Sequence, residues 1–221
     1  MKIFKVQDKE FSKLISKYCD LTYGPWVAGG SVRKVFQGLP WKSQDIDFFF
    51  SSTNQYHALK NRINEFGKVS RYTHETQNAI TYTVDTTSFV SKNESVYNVF
   101  DDRKDRSTFK KLSFTTSEDT SSWQKIQLIK KKYFASAEDV INGFDFGLAQ
   151  FITDGNVILA SNQALQDCKD NIIRINSIHT SPIPPNRIIK YASYGFNPDY
   201  KMLKTTVKSI LSGDVVQNED Y

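Results

Sequence analysis

Apolar residues recur along this chain with two alternating periods. Phe11, Leu14, Ile15 and Tyr18 fall at i, i+3, i+4 and i+7, one stripe of a helix from Asp8 to about Tyr18. Pro25-Trp26-Val27-Ala28 is too short and too apolar for another helix and reads as a strand that runs into Gly29-Gly30-Ser31. Val32 to Gln37 then reads as a short helix with Ser31 as its N-cap and Gly38 and Pro40 closing it. Asp45 to Phe50 alternates and then turns wholly apolar, the pattern of a strand leaving an edge for the core. His57 to Phe66 is an amphipathic helix stopped by Gly67, and Asn78 to Val84 is a strand rich in β-branched residues and Tyr.

From about Asp85 to Ser122 the pattern dissolves into Ser, Thr, Lys, Asp and Asn, a long connection within which 96–100 and 112–116 are candidate strands. Order returns with a strand at Lys125 to Ile129 and a helix from Ala137 to about Asn142 capped by Ser136. Phe146 to Phe151 suggests a helix, and Asn156 to Leu159 and Ile172 to Ile175 suggest two short strands. Ser181-Pro182-Ile183-Pro184-Pro185 cannot continue a helix and marks a boundary. Helices follow at Asn186 to Tyr194 and Tyr200 to Leu211, and the tail from Gly213 is polar. There is no internal repeat. Strands interleaved with helices make this an α/β (α+β) chain, a mixed sheet flanked by helices.

Composition narrows the picture modestly. The chain has 221 residues, enough for a real core, and 14% aromatics argue against general disorder. A net charge of +5 and a pI near 9.0 permit a nucleic-acid partner without requiring one. Cys19 and Cys168 form no Cys-x-x-Cys pair, which argues against structural zinc and for reduced thiols in a cytoplasmic protein. No signal-like N-terminal run and no stretch of 18 apolar residues occur, so a membrane partner is not expected. His57, His74 and His179 sit in unrelated contexts and suggest neither a triad nor a metal set.

Candidate chemistry concentrates between residues 29 and 47. Two glycines let the backbone approach a bulky ligand, and the helix that follows turns its unpaired N–H groups toward it. Gly29, Gly30 and Ser31 are therefore a candidate triphosphate corner, with Arg33 one turn further in. Asp45 and Asp47 are alternate strand residues, about 6.5–7 Å apart on one face, where they converge on a hard cation such as magnesium, or manganese in its place. A Gly-Gly-Ser alone is usually a turn, and an Asp-x-Asp alone is usually a solvated edge. Ser31 and Asp45 stand 14 residues apart with a short helix between, and that conjunction is far more specific. No Gly-x-x-x-x-Gly-Lys-Ser/Thr occurs, which excludes a P-loop. The bland readings of Lys130-Lys131-Lys132 and of Lys201, Lys204 and Lys208 are solvated faces; the alternative for both is a phosphate track.

Gly29-Gly30-Ser31-Val32-Arg33 followed by Asp45-Ile46-Asp47 resembles the signature of the polymerase-β superfamily, and within it the class II branch of tRNA CCA-adding enzymes and bacterial poly(A) polymerases. The resemblance extends to Phe144-Asp145-Phe146, to Thr153-Asp154-Gly155 through Arg174, and to Arg187 through Tyr194-Gly195-Phe196, over roughly residues 20 to 200. It implies a nucleotidyltransferase head at 1–180 and a short helical neck with a polar tail at 181–221. It also implies that Asp145 helps hold the nucleotide and that Arg174 and Arg187 lie near it. The activity implied is transfer of a nucleoside monophosphate from an NTP to an acceptor hydroxyl, of RNA above all, with release of pyrophosphate. This chain departs from the family at Lys34, where an acid is expected, at Phe144 for Arg, and at Gln127 for a strand Glu. The base-reading neck motif is reduced to Pro185-Asn186 and Lys190. Gln127 brings no charge to a metal, so a non-catalytic nucleotide- or RNA-binding module on the same fold stands as the alternative.

Overall fold

The computed structural model describes residues 1–65, 69–86, 123–176 and 183–212. Its centre is an eight-stranded mixed sheet. The strands are β1 (Lys2–Lys5), β2 (Trp26–Ala28), β3 (Ile46–Phe49), β4 (Val69–Glu75), β5 (Ala79–Asp85), β6 (Trp123–Ile129), β7 (Phe151–Thr153) and β8 (Val157–Ala160), in the order β1-β8-β7-β2-β3-β6-β5-β4. Within this sheet β3 and β6 run parallel, with Asp47 opposite Gln127; the other neighbours are antiparallel.

One face of the sheet is covered by α1 (Lys9–Ile15), α2 (Gly30–Phe36) and α3 (Thr53–Glu65), whose Phe11, Leu14, Val32 and Leu59 pack on Phe48, Ile126 and Leu128. α1 follows the expected stripe and is capped by Asp8, which accepts from the Phe11 N–H at 2.9 Å. On the opposite face α4 (Ala137–Asn142) sends Val140 and Ile141 against Trp26, Phe49 and Ile129. Ser136 caps it, as expected. A third cluster joins Phe146, Leu148 and Ile173 to Ile188, Tyr191, Phe196 and Met202. It fastens α6 (Pro185–Ser193) and α7 (Tyr200–Leu211) to the sheet domain, next to a two-stranded parallel ribbon of β9 (Ile172–Ile173) and β10 (Asn197–Pro198).

Several elements differ from expectation. α2 starts one residue before Ser31: Gly29 is its N-cap at φ +91°, ψ −144°, a conformation open essentially to glycine, and Ser31 is buried in the first turn. The helix expected over Phe146–Phe151 is a single 3₁₀ turn, Gly147–Ala149, that hands over to β7. The apolar run is the mark of burial, and a run of that length does not separate helix from strand. α5 (Asn162–Asp170) is not legible in the pattern, because its buried face includes Asp167 and so lacks an apolar stripe. β1 and β4 escape it too: Lys2-Ile3-Phe4-Lys5 is a largely exposed edge, and β4 is mostly polar in sequence. The candidate strands at 96–100 and 112–116, and the tail from Gly213, lie outside the described residues. Both cysteines are free, and among the described residues no helix is long and apolar enough to cross a membrane.

Candidate active site

β2, the β3 entry, β6, the loops around α4 and the inner side of α6 enclose a cavity of about 720 Å³. β2 delivers Gly29 to its floor. A Cβ on Gly29 would stand 3.7 Å from Asp47 Oδ2 and 3.8 Å from the Phe144 ring, so the backbone passes directly over the carboxylate. Gly30 is more open: a Cβ there would meet only Gln44 Oε1 at 3.4 Å.

Asp45 and Asp47 both line the cavity, Asp45 from the loop before β3 and Asp47 from the strand itself. Asp47 Oδ1 is buried without a hydrogen-bond partner. Burial pushes its carboxyl up to about 7, the neighbouring charge of Asp45 pushes the same way, and Lys190 opposes them. The loop that carries Asp45 is tied at two points. Gln124 Nε2 donates to the Gln44 carbonyl at 2.5 Å, and Lys34 Nζ donates to Ser43 Oγ at 2.9 Å. Lys34, unexpected at its position, thus fastens the loop leading to Asp45 back to α2.

Ser31 Oγ and Arg33 Nε are also buried without partners, and both residues line the cavity. Arg33 is only 2% exposed. Its guanidinium carbon lies 4.5 Å from the Phe196 ring centre and 5.6 Å from that of Tyr191, held by aromatic faces rather than by a carboxylate. Desolvation lowers its pKa, against a raising influence from Tyr191. An arginine titrates so far above neutrality that the charge persists.

Asp145 is buried at the rim, with Arg187 gripping both of its oxygens at 3.1 Å. Asn176 holds this segment from behind: its N–H donates to the Asp145 carbonyl at 2.6 Å and its side chain to the Phe144 and Asn142 carbonyls at 2.9 and 3.1 Å. Arg174, expected beside the nucleotide, does not line the cavity. It bonds Asp167 and Asp170 at 2.7 Å each, pinning α5 to the strand that follows it. Asp167 is fully buried and requires a cation, so the guanidinium is drawn into the protein instead of toward the cavity. The Arg174 carbonyl accepts from Gly147 N–H at 3.1 Å, which ties it indirectly to the Asp145 segment.

Sequence reading reaches this wall in part: it names Arg187 as a site residue, Asn186 and Lys190 as a reduced motif and Lys131 and Lys132 within a lysine run, and it passes over Tyr191. Asn186, Arg187, Lys190, Tyr191 and Tyr194 face the cavity from α6 at i, i+1, i+4, i+5 and i+8, a stripe that a helical projection of 185–194 displays. Lys131 and Lys132 line it from the turn after β6. Gln127 sits beside Asp47, where the resemblance calls for an acid. Among the described residues no cluster of three acidic, His or Cys side chains suited to a metal ion occurs.

A family model described as Gabija anti-defense 2 family protein matches residues 3–170. The chain belongs to the Gabija anti-defense 2 family. The match runs from β1 through α5 and takes in Gly29, Asp45, Asp47 and Asp145; α6 lies beyond it. No curated protein matches this family member. Its fold is similar to that of solved CCA-adding enzymes. An apo form has a TM-score of 0.56 at 13% identity, over 97% of this chain and 47% of that one. A complex with CTP has 0.55 at 14%, over 96% and 46%. The Thermotoga maritima enzyme complexed with tRNA has 0.55 at 14%, over 96% and 47%. At such identities the likeness shows the nucleotidyltransferase fold, and this chain spans about half the length of those structures.

Proposed function

We propose that this protein is a metal-dependent nucleotidyltransferase that moves a nucleoside monophosphate from an NTP to an acceptor hydroxyl, RNA above all, and releases pyrophosphate. The observation that carries this reading is that Ser31, Arg33 and Asp47, each with a buried side-chain polar atom that lacks a partner, line one cavity. Buried polar groups are ordinarily satisfied, so three exceptions at one place mark a site built for a ligand. Five cations (Arg33, Lys131, Lys132, Arg187 and Lys190) face three carboxylates (Asp45, Asp47 and Asp145), which leaves two positive charges. One magnesium raises that to four, the charge of a fully ionised triphosphate.

The donor set fits such an ion. Two carboxylates beside an open cavity suit magnesium or manganese, which takes its remaining oxygens from phosphates and water. When bound, the metal supplies Lewis acidity that neutralises the triphosphate and acidifies the attacking hydroxyl. The Gly29-Gly30 backbone leaves room for the β- and γ-phosphates, and the Ser31 hydroxyl and Arg33 guanidinium donate to them. Arg187, oriented by Asp145, and Lys190 neutralise charge from the α6 wall. As the acceptor oxygen bonds to the α-phosphorus, the bond to the bridging oxygen of pyrophosphate breaks. These cations stabilise the charge that gathers there. The solved relatives of this fold include complexes with CTP and with tRNA, which supports the same ligand classes here. The family description adds the setting of an activity directed against a defence system.

One observation favours a second reading, a nucleotide- or RNA-binding module without chemistry: Gln127 beside Asp47 leaves the metal position one carboxylate short. Incubation with each α-labelled NTP, magnesium and RNA separates the two. Transfer of label that disappears in Asp47→Asn supports the enzyme. MgNTP binding without transfer to any acceptor supports the module.

A further inference from the structure

β6 does not end its functional face at Gln127. Its residues alternate sharply: Gln124, Ile126 and Leu128 are buried, whereas Trp123 and Lys125 are exposed and Gln127 is half-buried. Lys125 and Trp123 therefore stand on the same side as the cavity-lining Gln127, at successive steps of about 6.5–7 Å away from Asp47. The neighbouring strand continues this face: Thr81 pairs with Gln127, Thr83 with Lys125 and Asp85 with Trp123; both threonines are half-exposed and Asp85 is buried. Side chains directly opposite on paired strands share a face. Among the described residues a strip of Gln, Thr and Lys, with Trp123 and the buried Asp85 at its end, thus leads away from the carboxylates.

Trp123 is the anomaly in this strip. Trp26 and Trp41 are 0% and 3% exposed, and each spends its indole N–H on a hydrogen bond, to the Leu21 carbonyl and to Asp8 Oδ2. Trp123 is 39% exposed and has no such bond among the described residues. β6 and β5 are interior strands, each hydrogen-bonded on both sides, so neither offers a free edge to which an extended peptide adds as a strand. Recognition on this face comes from side chains alone. An indole flanked by an ammonium on a polar surface matches a base and its phosphate, the elements of single-strand binding. Lys131 and Lys132 lie at the far end of the same strand's turn.

We propose that the β5–β6 face is the acceptor track for a single-stranded nucleic acid, with Trp123 stacking on a base and Lys125 contacting a phosphate, so that the terminal hydroxyl is delivered past Gln127 to the Asp45–Asp47 site. This rests on the nucleotidyltransferase reading, deepens it to the acceptor class, and is tested without chemistry.

The full chain is titrated in EDTA with a fluorescein-labelled single-stranded RNA dodecamer, following anisotropy and, with unlabelled RNA, tryptophan emission. Quenching is expected, and with two of the three tryptophans buried it reports Trp123. Trp123→Ala weakens binding roughly ten-fold or more, by the worth of one base–aromatic stack. Lys125→Glu weakens it and lowers the slope of log K against log salt by about one. Trp123→Phe, which keeps a stacking ring, retains most of the affinity. The MgNTP thermal shift persists in all three variants, so loss of RNA binding is distinguished from loss of the nucleotide site. Absence of RNA binding by the wild type overturns the proposal, as does affinity unchanged in both Trp123→Ala and Lys125→Glu. Label transfer to a protein but to no oligonucleotide overturns it in favour of a protein acceptor.

Discussion

Replacing Asp47 by Asn is expected to stabilise the metal-free protein while abolishing its response to MgNTP. The Asp47 carboxyl is pushed up from its ordinary value of 3.8 to about 7, first by burial and then by Asp45. The folded state thus keeps a proton that the unfolded chain has released, and stability falls as pH rises from about 4 to about 7. Above that window the fold carries the whole cost of the ionised group. Three pKa units correspond to about 4 kcal/mol. Water entering the cavity screens the charge, so about 2 kcal/mol is the realistic gain for the neutral amide. For a chain of this size that is a rise in Tm of roughly 4–8 °C. Thermal melts of both proteins in EDTA at pH 8, 6 and 4 check it, since all other titrations are shared. The variant's advantage is expected to be largest at pH 8 and to vanish near pH 4. Saturating MgNTP reverses the order, because ligand at a hundred times its Kd stabilises the wild type by about 2.7 kcal/mol and leaves the Asp47→Asn variant unmoved. A variant less stable than wild type at pH 8 without metal refutes the reasoning, for it makes Asp47 a structural partner rather than a charge held ready for a cation.

Gly30→Val should remove the MgNTP thermal shift while costing little stability, because an added Cβ meets only Gln44 Oε1 at 3.4 Å and otherwise enters the cavity; melts with and without ligand decide it. Arg174→Ala should lower stability by about 2 kcal/mol, less than a fully buried pair because its side chain is 33% exposed, and leave nucleotide affinity nearly unchanged. Denaturant unfolding and an NTP titration measure the two. Gln127→Glu, assayed across a magnesium titration, should change turnover little if two carboxylates and the triphosphate complete the metal's shell. A large gain with a lower magnesium requirement shows instead that the natural site is one charge short.

Legibility followed the physics of each element. The glycine corner and Asp-x-Asp were readable because each residue type has few substitutes: glycine is the residue that adopts the Gly29 conformation, and carboxylates are the side chains best suited to a hard cation. α1 and β3 announced themselves through periods set by one buried face. α5 did not, since the residue it buries most deeply besides Ala164 is Asp167, whose partner Arg174 is invisible until the chain is folded. The same pairing draws Arg174, whose place near the nucleotide was implied by the resemblance alone, toward the carboxylates of α5. Tyr191 was within reach, because it stands between Arg187 and Tyr194 at helical spacing. The active-site side of β6 needed the register with β3, which pairs Asp47 with Gln127 across a long stretch of intervening chain.

The helix that closes the cavity has a different standing from the corner it closes over. α6 is anchored through aromatic rings around Arg33 and one bidentate ion pair to Asp145, and it lies beyond the segment, residues 3–170, that carries the family's common pattern. The glycine-and-carboxylate floor and the α6 wall thus come from different stretches of the chain, joined by Ile188 and Tyr191 of the third apolar cluster. Grafting a different face at Asn186 and Tyr194, with Arg187, Lys190 and Tyr191 kept, tests whether this wall sets which nucleotide is accepted while Lys190 still acts on Asp47.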